Sequence, residues 1–136
     1  MNWLISCLVA MVCWGFWGFL MKLASEHFNW HQIFLVTSIV TLATSSLIFV
    51  LLKPSINVYS PGFGYALLAG VVGALALIAF YTALGVGKAI IVVPLTALYP
   101  VITIILSYLI LDEKIALVKG VGIMLALVAI LLVSID

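Results

Sequence analysis

Residues 62–84 read GFGYALLAGVVGALALIAFYTAL and contain no charged side chain. The hydrocarbon core of a bilayer is roughly 30 Å thick, and a helix that rises about 1.5 Å per residue needs about 20 residues to cross it. This stretch is therefore long enough and apolar enough to form a membrane-spanning helix.

The same pattern recurs along the whole chain. Hydrophobic residues make up 68% of the 136 residues and charged residues only 7%, whereas soluble domains are roughly half apolar and about a quarter charged. The sequence predicts an all-α integral membrane protein with five transmembrane helices in a single domain, residues 1–136. The predicted spans are roughly 3–22, 32–52, 62–84, 91–111 and 115–135.

Two helix starts carry recognisable capping signals. Asn29 precedes the second span, and Gln32 stands at the third helical position, where its side chain can return a hydrogen bond to the cap. Ser60 precedes Pro61, which suits a serine cap followed by proline at the first helical position.

The fourth span carries the clearest polar stripe. Thr96, Tyr99, Thr103 and Ser107 recur at spacings of three and four on an otherwise aliphatic helix. We interpret this stripe as the lining of a solute pathway; the alternative is hydrogen bonding between packed helices.

Two prolines, Pro94 and Pro100, interrupt the hydrogen-bond ladder of the same span. Each frees a carbonyl about one turn back and predicts a kink or hinge. Irregular backbone at membrane depth is tolerated where protein or a wet cavity satisfies it.

The first three spans hold weaker candidates for the pathway. Thr37, Thr41 and Thr44-Ser45 form a second stripe, for which packing is the favoured explanation. Trp14 and Lys22 share a face: the tryptophan either stacks on a flat or cationic substrate or packs in lipid, and the lysine either extends to water or contacts the substrate. Tyr81 either reaches the cavity mouth or anchors at the membrane surface.

Small residues recur every four positions on the third span and again in the fifth, which predicts close approach of helix backbones within the protomer or across a dimer. These positions are Gly62, Ala66, Gly70, Ala74, Gly122 and Ala126.

The sequence also lacks several kinds of site. No Asp or Glu lies deep in a span, so ion coupling would have to use Glu26 or Lys22 near an edge, or be absent. We find no nucleophile–base pair, phosphate loop or metal-ligand spacing. A net charge of +1 without a basic run argues against nucleic-acid binding. We expect no enzyme activity, cofactor or metal.

The lysines give a weak orientation signal. With the amino terminus in the cytoplasm, Lys53, Lys114 and Lys119 lie inside, and Lys22 and Lys88 lie outside. So small a bias allows insertion in both directions. Two oppositely inserted copies would form an antiparallel pair that resembles the inverted repeats of larger transporters.

The chain resembles EamA-type domains of the drug/metabolite transporter superfamily, most specifically in residues 81–134. The motifs that carry the resemblance are Ala83–Ala89, Pro94–Pro100, Glu113, Gly122, and Trp14-Gly15 followed by Lys22. With one five-helix unit, the chain is most similar to the small single-domain transporters of bacteria and archaea. The resemblance implies a half-transporter unit that exports or exchanges small metabolites or drugs by alternating access. It also implies that Lys88 and Glu113 are structural turn residues.

We therefore expect a transporter in the cytoplasmic membrane of a prokaryote, working as a homodimer with two oppositely oriented copies. Its cavity would be lined by the fourth span and parts of the first three. Its partners would be the lipid bilayer and a neutral, zwitterionic or amphipathic solute. The alternatives are a non-transporting membrane scaffold or accessory subunit, and a half-transporter that needs a different five-helix partner.

Overall fold

The computed structural model describes residues 3–112 and 117–135, without the side chains of Lys119 and Ser134. Regular structure in these ranges is entirely helical, which confirms the all-α fold class. The predicted start of the last span and the turn residue Glu113 lie outside the described residues. The helices are α1 (Trp3–Ser25), α2 (Trp30–Leu52), α3 (Pro61–Val86), α4 (Ala89–Thr96), α5 (Tyr99–Ile110) and α6 (Leu117–Ser134).

The helices group into two compact units, one ending at Val86 and the other beginning at Gly87. In the first unit, α1, α2 and α3 each pack against the other two. In the second unit, α4 packs against α6. The prediction that residues 1–136 form one domain stays a prediction.

Lipid, rather than water, suits the outer surface of these helices. In the first unit the large apolar side chains that are buried are Ile33, Tyr81 and Leu84, while most others face outward. Within the described parts of the chain, four segments are long and apolar enough to cross a membrane: α1, α2, α3 and the combined stretch Ala89–Ile110. The shorter α6 is also apolar. Water would not tolerate so much exposed apolar surface, and a bilayer requires it.

The capping signals operate at both predicted helix starts. The Asn29 backbone N–H donates to the Gln32 side-chain oxygen at 2.9 Å, the return bond of a capping box. The Ser60 hydroxyl oxygen accepts from the backbone N–H of Gly62 at 3.3 Å, and α3 begins at Pro61.

The fourth span is divided into α4 and α5 by two residues, Ala97 and Leu98. Pro100 has no N–H to donate to the carbonyl of Thr96, so the regular ladder cannot pass this point. Shorter-range hydrogen bonds replace the ladder here. The Leu98 N–H donates to the Leu95 carbonyl at 3.3 Å, and the Val101 N–H donates to the Leu98 carbonyl at 3.0 Å. Both bonds have the three-residue spacing of a 3₁₀ turn.

Replacing Pro100 with alanine should join α4 and α5. Ala97 and Leu98 have helical φ angles, −67° and −75°, and ψ angles of 0° and −10°, so a rotation of about 30–40° in ψ toward the α-helical value brings the restored N–H to the Thr96 carbonyl. One added hydrogen bond should slow amide exchange in residues 97–102 about fivefold, measured by mass spectrometry on protein in detergent.

The matched control is Pro94→Ala. Pro94 lies inside α4, which continues beyond it, so this change should leave exchange in residues 97–102 as in the parent. Equal exchange in the Pro100→Ala protein and the parent would show that something other than the missing N–H holds the break.

Candidate functional site

A groove of about 550 Å³ runs between α2 and α3 in the first unit, and we call it the α2–α3 groove. Its α2 wall is formed by Thr37, Ser38, Thr41 and Ser45 among apolar neighbours. Thr37, Thr41 and Ser45 are four residues apart, so they lie on one face of the helix. The helix therefore presents a row of hydroxyl groups to the groove.

The α3 wall of the groove is made of small residues. Gly70, Gly73 and Ala74 face the hydroxyl row. A Cβ atom added at Gly70 or Gly73 would have no heavy atom within 4 Å. The small side chains therefore leave open space there instead of allowing another described helix to approach.

The other predicted packing positions are also open in the described structure. Gly62, Ala66, Gly122 and Ala126 are exposed. An added Cβ would meet only the Ser60 hydroxyl, at 3.4 Å, at Gly62, and nothing within 4 Å at Gly122. Packing of these ridges across a dimer stays a prediction.

The hydroxyl protons of the α2 wall are committed to the helix backbone. Thr37, Thr41 and Ser45 each donate to a carbonyl of the preceding turn at 2.9 Å. A hydroxyl that donates in this way keeps lone pairs on its oxygen. The row can therefore still accept hydrogen bonds from a group in the groove.

Tyr81 joins two helices at one end of the hydroxyl row. Its ring is 1% exposed, and its hydroxyl donates to Thr37 Oγ1 at 3.3 Å. Trp17 of α1 stacks on Phe80 with ring centroids 5.2 Å apart and lies 6.2 Å from the Tyr81 ring. Tyr81 is thus a buried residue at the edge of the groove, and its role in a solute pathway stays a prediction.

Lys22 belongs to α1, and its side chain reaches the last turn of α3, outside the groove lining. Its ammonium donates to the Leu84 carbonyl at 3.3 Å, and the Ser25 hydroxyl lies 2.7 Å from the Lys22 carbonyl and 3.4 Å from that of Leu84. Carbonyls in the last turn of a helix lack intrahelical partners, and a cation there is favoured by the helix dipole. The half-buried lysine therefore ties α1 to α3.

The remaining predicted site residues lie elsewhere. Trp14 is 63% exposed and does not line the groove. In the second unit, Thr96 donates to the Val92 carbonyl at 2.8 Å. Tyr99 and Thr103 are exposed, and Ser107 is half-buried. A role for these residues in a solute pathway stays a prediction.

Sequence reasoning did not assign Trp17, Ser38 or Gly73 to the site. Trp17 shares its half-buried state with Ser6 and Ala10, and these spacings of four and seven put all three residues on one face of α1. That mixed small and polar stripe was the available signal. The signal is weak, because Trp14 also shares a face with a small residue, Gly18.

Among the residues that the structure describes, no charged side chain lines the groove. Within residues 3–112 and 117–135, no group of three His, Cys, Asp or Glu side chains is placed to hold a metal ion. What the arrangement offers is hydrogen-bond acceptors, aromatic rings and open space. Such a surface suits reversible binding of an uncharged molecule.

Long apolar helices with lipid-facing surfaces and an uncharged, hydroxyl-lined groove define a multi-pass integral membrane protein. The sequence profile of the EamA-like transporter family matches residues 1–135, and the chain belongs to this family. Family membership makes it a membrane transporter of the drug/metabolite superfamily, as the resemblance implied; proteins of this family are transporters rather than enzymes.

A protein of Methanocaldococcus jannaschii, described as uncharacterized, is similar over the whole chain. The two are 33% identical over 136 residues, which cover 98% of this chain and 96% of the archaeal protein. No solved structure shows significant similarity to the chain.

Removing the Tyr81 hydroxyl should destabilise the first unit. Tyr81→Phe deletes the donor to Thr37, and a hydrogen bond of this kind contributes about 1 kcal/mol to the free energy of unfolding. We expect this loss in reversible unfolding by sodium dodecyl sulfate in mixed micelles. Once Tyr81 is replaced, Thr37→Val should cost less than it does in the parent, because the bond between the two hydroxyls is already lost and only the Thr37 bond to its own helix backbone remains to be removed.

Tyr65→Phe is the matched control, since Tyr65 is 75% exposed and should change stability by less than about 0.5 kcal/mol. If the double variant lost as much unfolding free energy as the two single variants together, the two hydroxyls would act independently.

Proposed function

We propose that this protein carries small organic solutes across the membrane as an exporter or exchanger, working as a dimer by alternating access. The observation that carries the proposal is the position of the α2–α3 groove. Thr41 is the middle residue of α2, and Gly73 and Ala74 are the two middle residues of α3. The groove thus centres roughly 16 Å from either end of α2, near the bilayer midplane, where transporters commonly bind their solutes.

The groove also has a suitable size and polarity. Its volume of about 550 Å³ falls in the range of roughly 300–1,000 Å³ typical of small-molecule sites. A multiply charged solute would need counter-charges, and none line the groove. These features favour a neutral, zwitterionic or amphipathic solute.

The second unit supplies the other proposed part of the pathway. Thr96, Tyr99, Thr103 and Ser107 form the polar stripe of α4 and α5, and the break at Ala97–Leu98 interrupts this span. Broken helices at membrane depth occur where backbone lines a cavity or is buried in protein. We include these four residues and the hinge prolines in the pathway.

The dimer is proposed as antiparallel, with two copies inserted in opposite directions. The lysine distribution gives little preference for one orientation, and open small-residue positions such as Gly122 leave room for a second copy. The same open positions suit the alternatives, a scaffold that binds another membrane protein or a half-transporter with a different partner.

Transport should be measurable with purified protein in liposomes. We expect saturable flux of at least one compound in a panel of neutral and zwitterionic metabolites, assayed with and without a pH gradient. Thr41→Val removes an acceptor from the groove wall and should lower flux severalfold. Thr44→Val is the control, because Thr44 makes the same backbone bond, to Val40 at 2.8 Å, outside the groove lining. No flux across the panel, together with stable binding to another membrane protein, would favour the scaffold.

Dual insertion has its own test. A tag at one terminus should be reachable from both sides of the membrane in sealed cells, because the lysine bias is so small. Adding two lysines to the loop at residues 55–60 should shift the ratio of the two orientations. One fixed orientation in the parent would reject the antiparallel dimer while leaving transport by another assembly open to the flux measurement.

A further inference from the structure

The hydrogen-bonding character of the row Thr37, Thr41 and Ser45, on the α2 wall of the α2–α3 groove, is one-sided. Thr37, Thr41 and Ser45 have each given their single proton to a backbone carbonyl at 2.9 Å, and the Tyr81 proton is given to Thr37. A solute group that faces this row meets oxygen lone pairs and no available proton. Complementarity therefore requires the solute to donate.

The opposite wall determines the shape that fits. Gly70 and Gly73 have no side chains, and even a Cβ atom there would touch nothing within 4 Å. A flat, apolar body can therefore lie against α3 while one edge faces the hydroxyl row of α2. The half-buried Trp17 adds aromatic surface to the same lining.

The uncharged lining determines whether the donor group of the solute is neutral or charged. An ammonium group would lie near the bilayer midplane without a carboxylate partner, because no Asp or Glu lines the groove. An uncompensated charge there is costly. A neutral N–H group satisfies the hydroxyl oxygens without that cost.

We propose that the α2–α3 groove is a binding site for a neutral, flat solute that donates an N–H hydrogen bond to the row Thr37, Thr41 and Ser45. This inference rests on the proposed transport function for its biological role, but binding is measurable without transport. Ser38 and the indole of Trp17 retain donors of their own, so they tolerate an acceptor elsewhere on the solute. The row requires a donor at one edge.

The test compares two probes of nearly the same size and shape. Indole has one N–H donor, and benzofuran replaces that group with an oxygen that cannot donate. Binding to full-length protein in detergent is measured by equilibrium dialysis, as the difference between protein-containing and empty micelles. We expect benzofuran to bind about five- to tenfold more weakly, as the loss of one hydrogen bond predicts. Equal binding of both probes, as in a groove that simply holds lipid chains, would overturn the proposal.

Variants locate the binding in the groove. Gly70→Leu should fill the space and abolish indole binding, and the fold should tolerate the change because a Cβ atom at this position meets nothing within 4 Å beyond the backbone of its own helix. Gly64→Leu is the matched control: Gly64 is equally open and lies on the same helix outside the lining, so indole should bind as in the parent. Indole binding that survives Gly70→Leu would place the site elsewhere and reject the proposal.

A second pair of variants tests the hydroxyl row itself. Thr41→Val and Ser45→Ala each remove an acceptor and should reduce the preference for indole over benzofuran, whereas Thr44→Val should preserve it. Unchanged preference in both Thr41→Val and Ser45→Ala would mean that the row does not accept the donor, which overturns the proposal.

Flux separates this inference from the proposed transport function. Selective indole binding without flux of any solute in liposomes would sustain the binding site and reject transport. Flux of other solutes with no preference for indole over benzofuran would reject the donor requirement and sustain transport.

Discussion

The structure depends on one constraint: inside a bilayer, every backbone N–H and carbonyl must find its hydrogen-bond partner within the protein. Long helices meet this requirement by themselves, which is why the long apolar segments of the described chain are helical apart from the turn at Ala97–Leu98. Several hydroxyl groups on α2 obey the same constraint. Thr41 and Thr44 both return their protons to their own helix, so neither leaves an unsatisfied donor facing hydrocarbon.

Few polar contacts hold the first unit together, because lipid provides no hydrophobic force between its helices. Tyr81 joins α3 to α2 through its bond to Thr37. Lys22 joins α1 to α3 at the Leu84 carbonyl, where the end of a helix needs a donor. Stacking of Trp17 on Phe80 adds a third link. These contacts hold the helices together while the space between α2 and α3 remains open.

The groove follows from the combination of hydroxyl and glycine positions. A hydroxyl that donates to its own helix backbone has no unsatisfied donor in hydrocarbon, and its oxygen keeps lone pairs that can accept a hydrogen bond. Glycine opens space without adding a side-chain polar group. A surface that is stable against lipid can thus also recognise a polar solute. The division of the fourth span has a comparable origin, because Pro100 removes the N–H that would bond the Thr96 carbonyl.

The sequence by itself determined the class of protein, since uninterrupted apolar stretches of about 20 residues typically form transmembrane helices. It also located the capped helix starts at Asn29 and Ser60, because caps depend on neighbouring residues, and it singled out Thr37, Thr41 and Tyr81. The tertiary structure decided which of these side chains meet. Trp14 and Trp17 look equivalent in a helix that is apolar on every side, and only packing against α3 turns Trp17 inward. Helix periodicity places residues on faces, but the choice of the face that meets a neighbour depends on contacts between residues far apart in the chain.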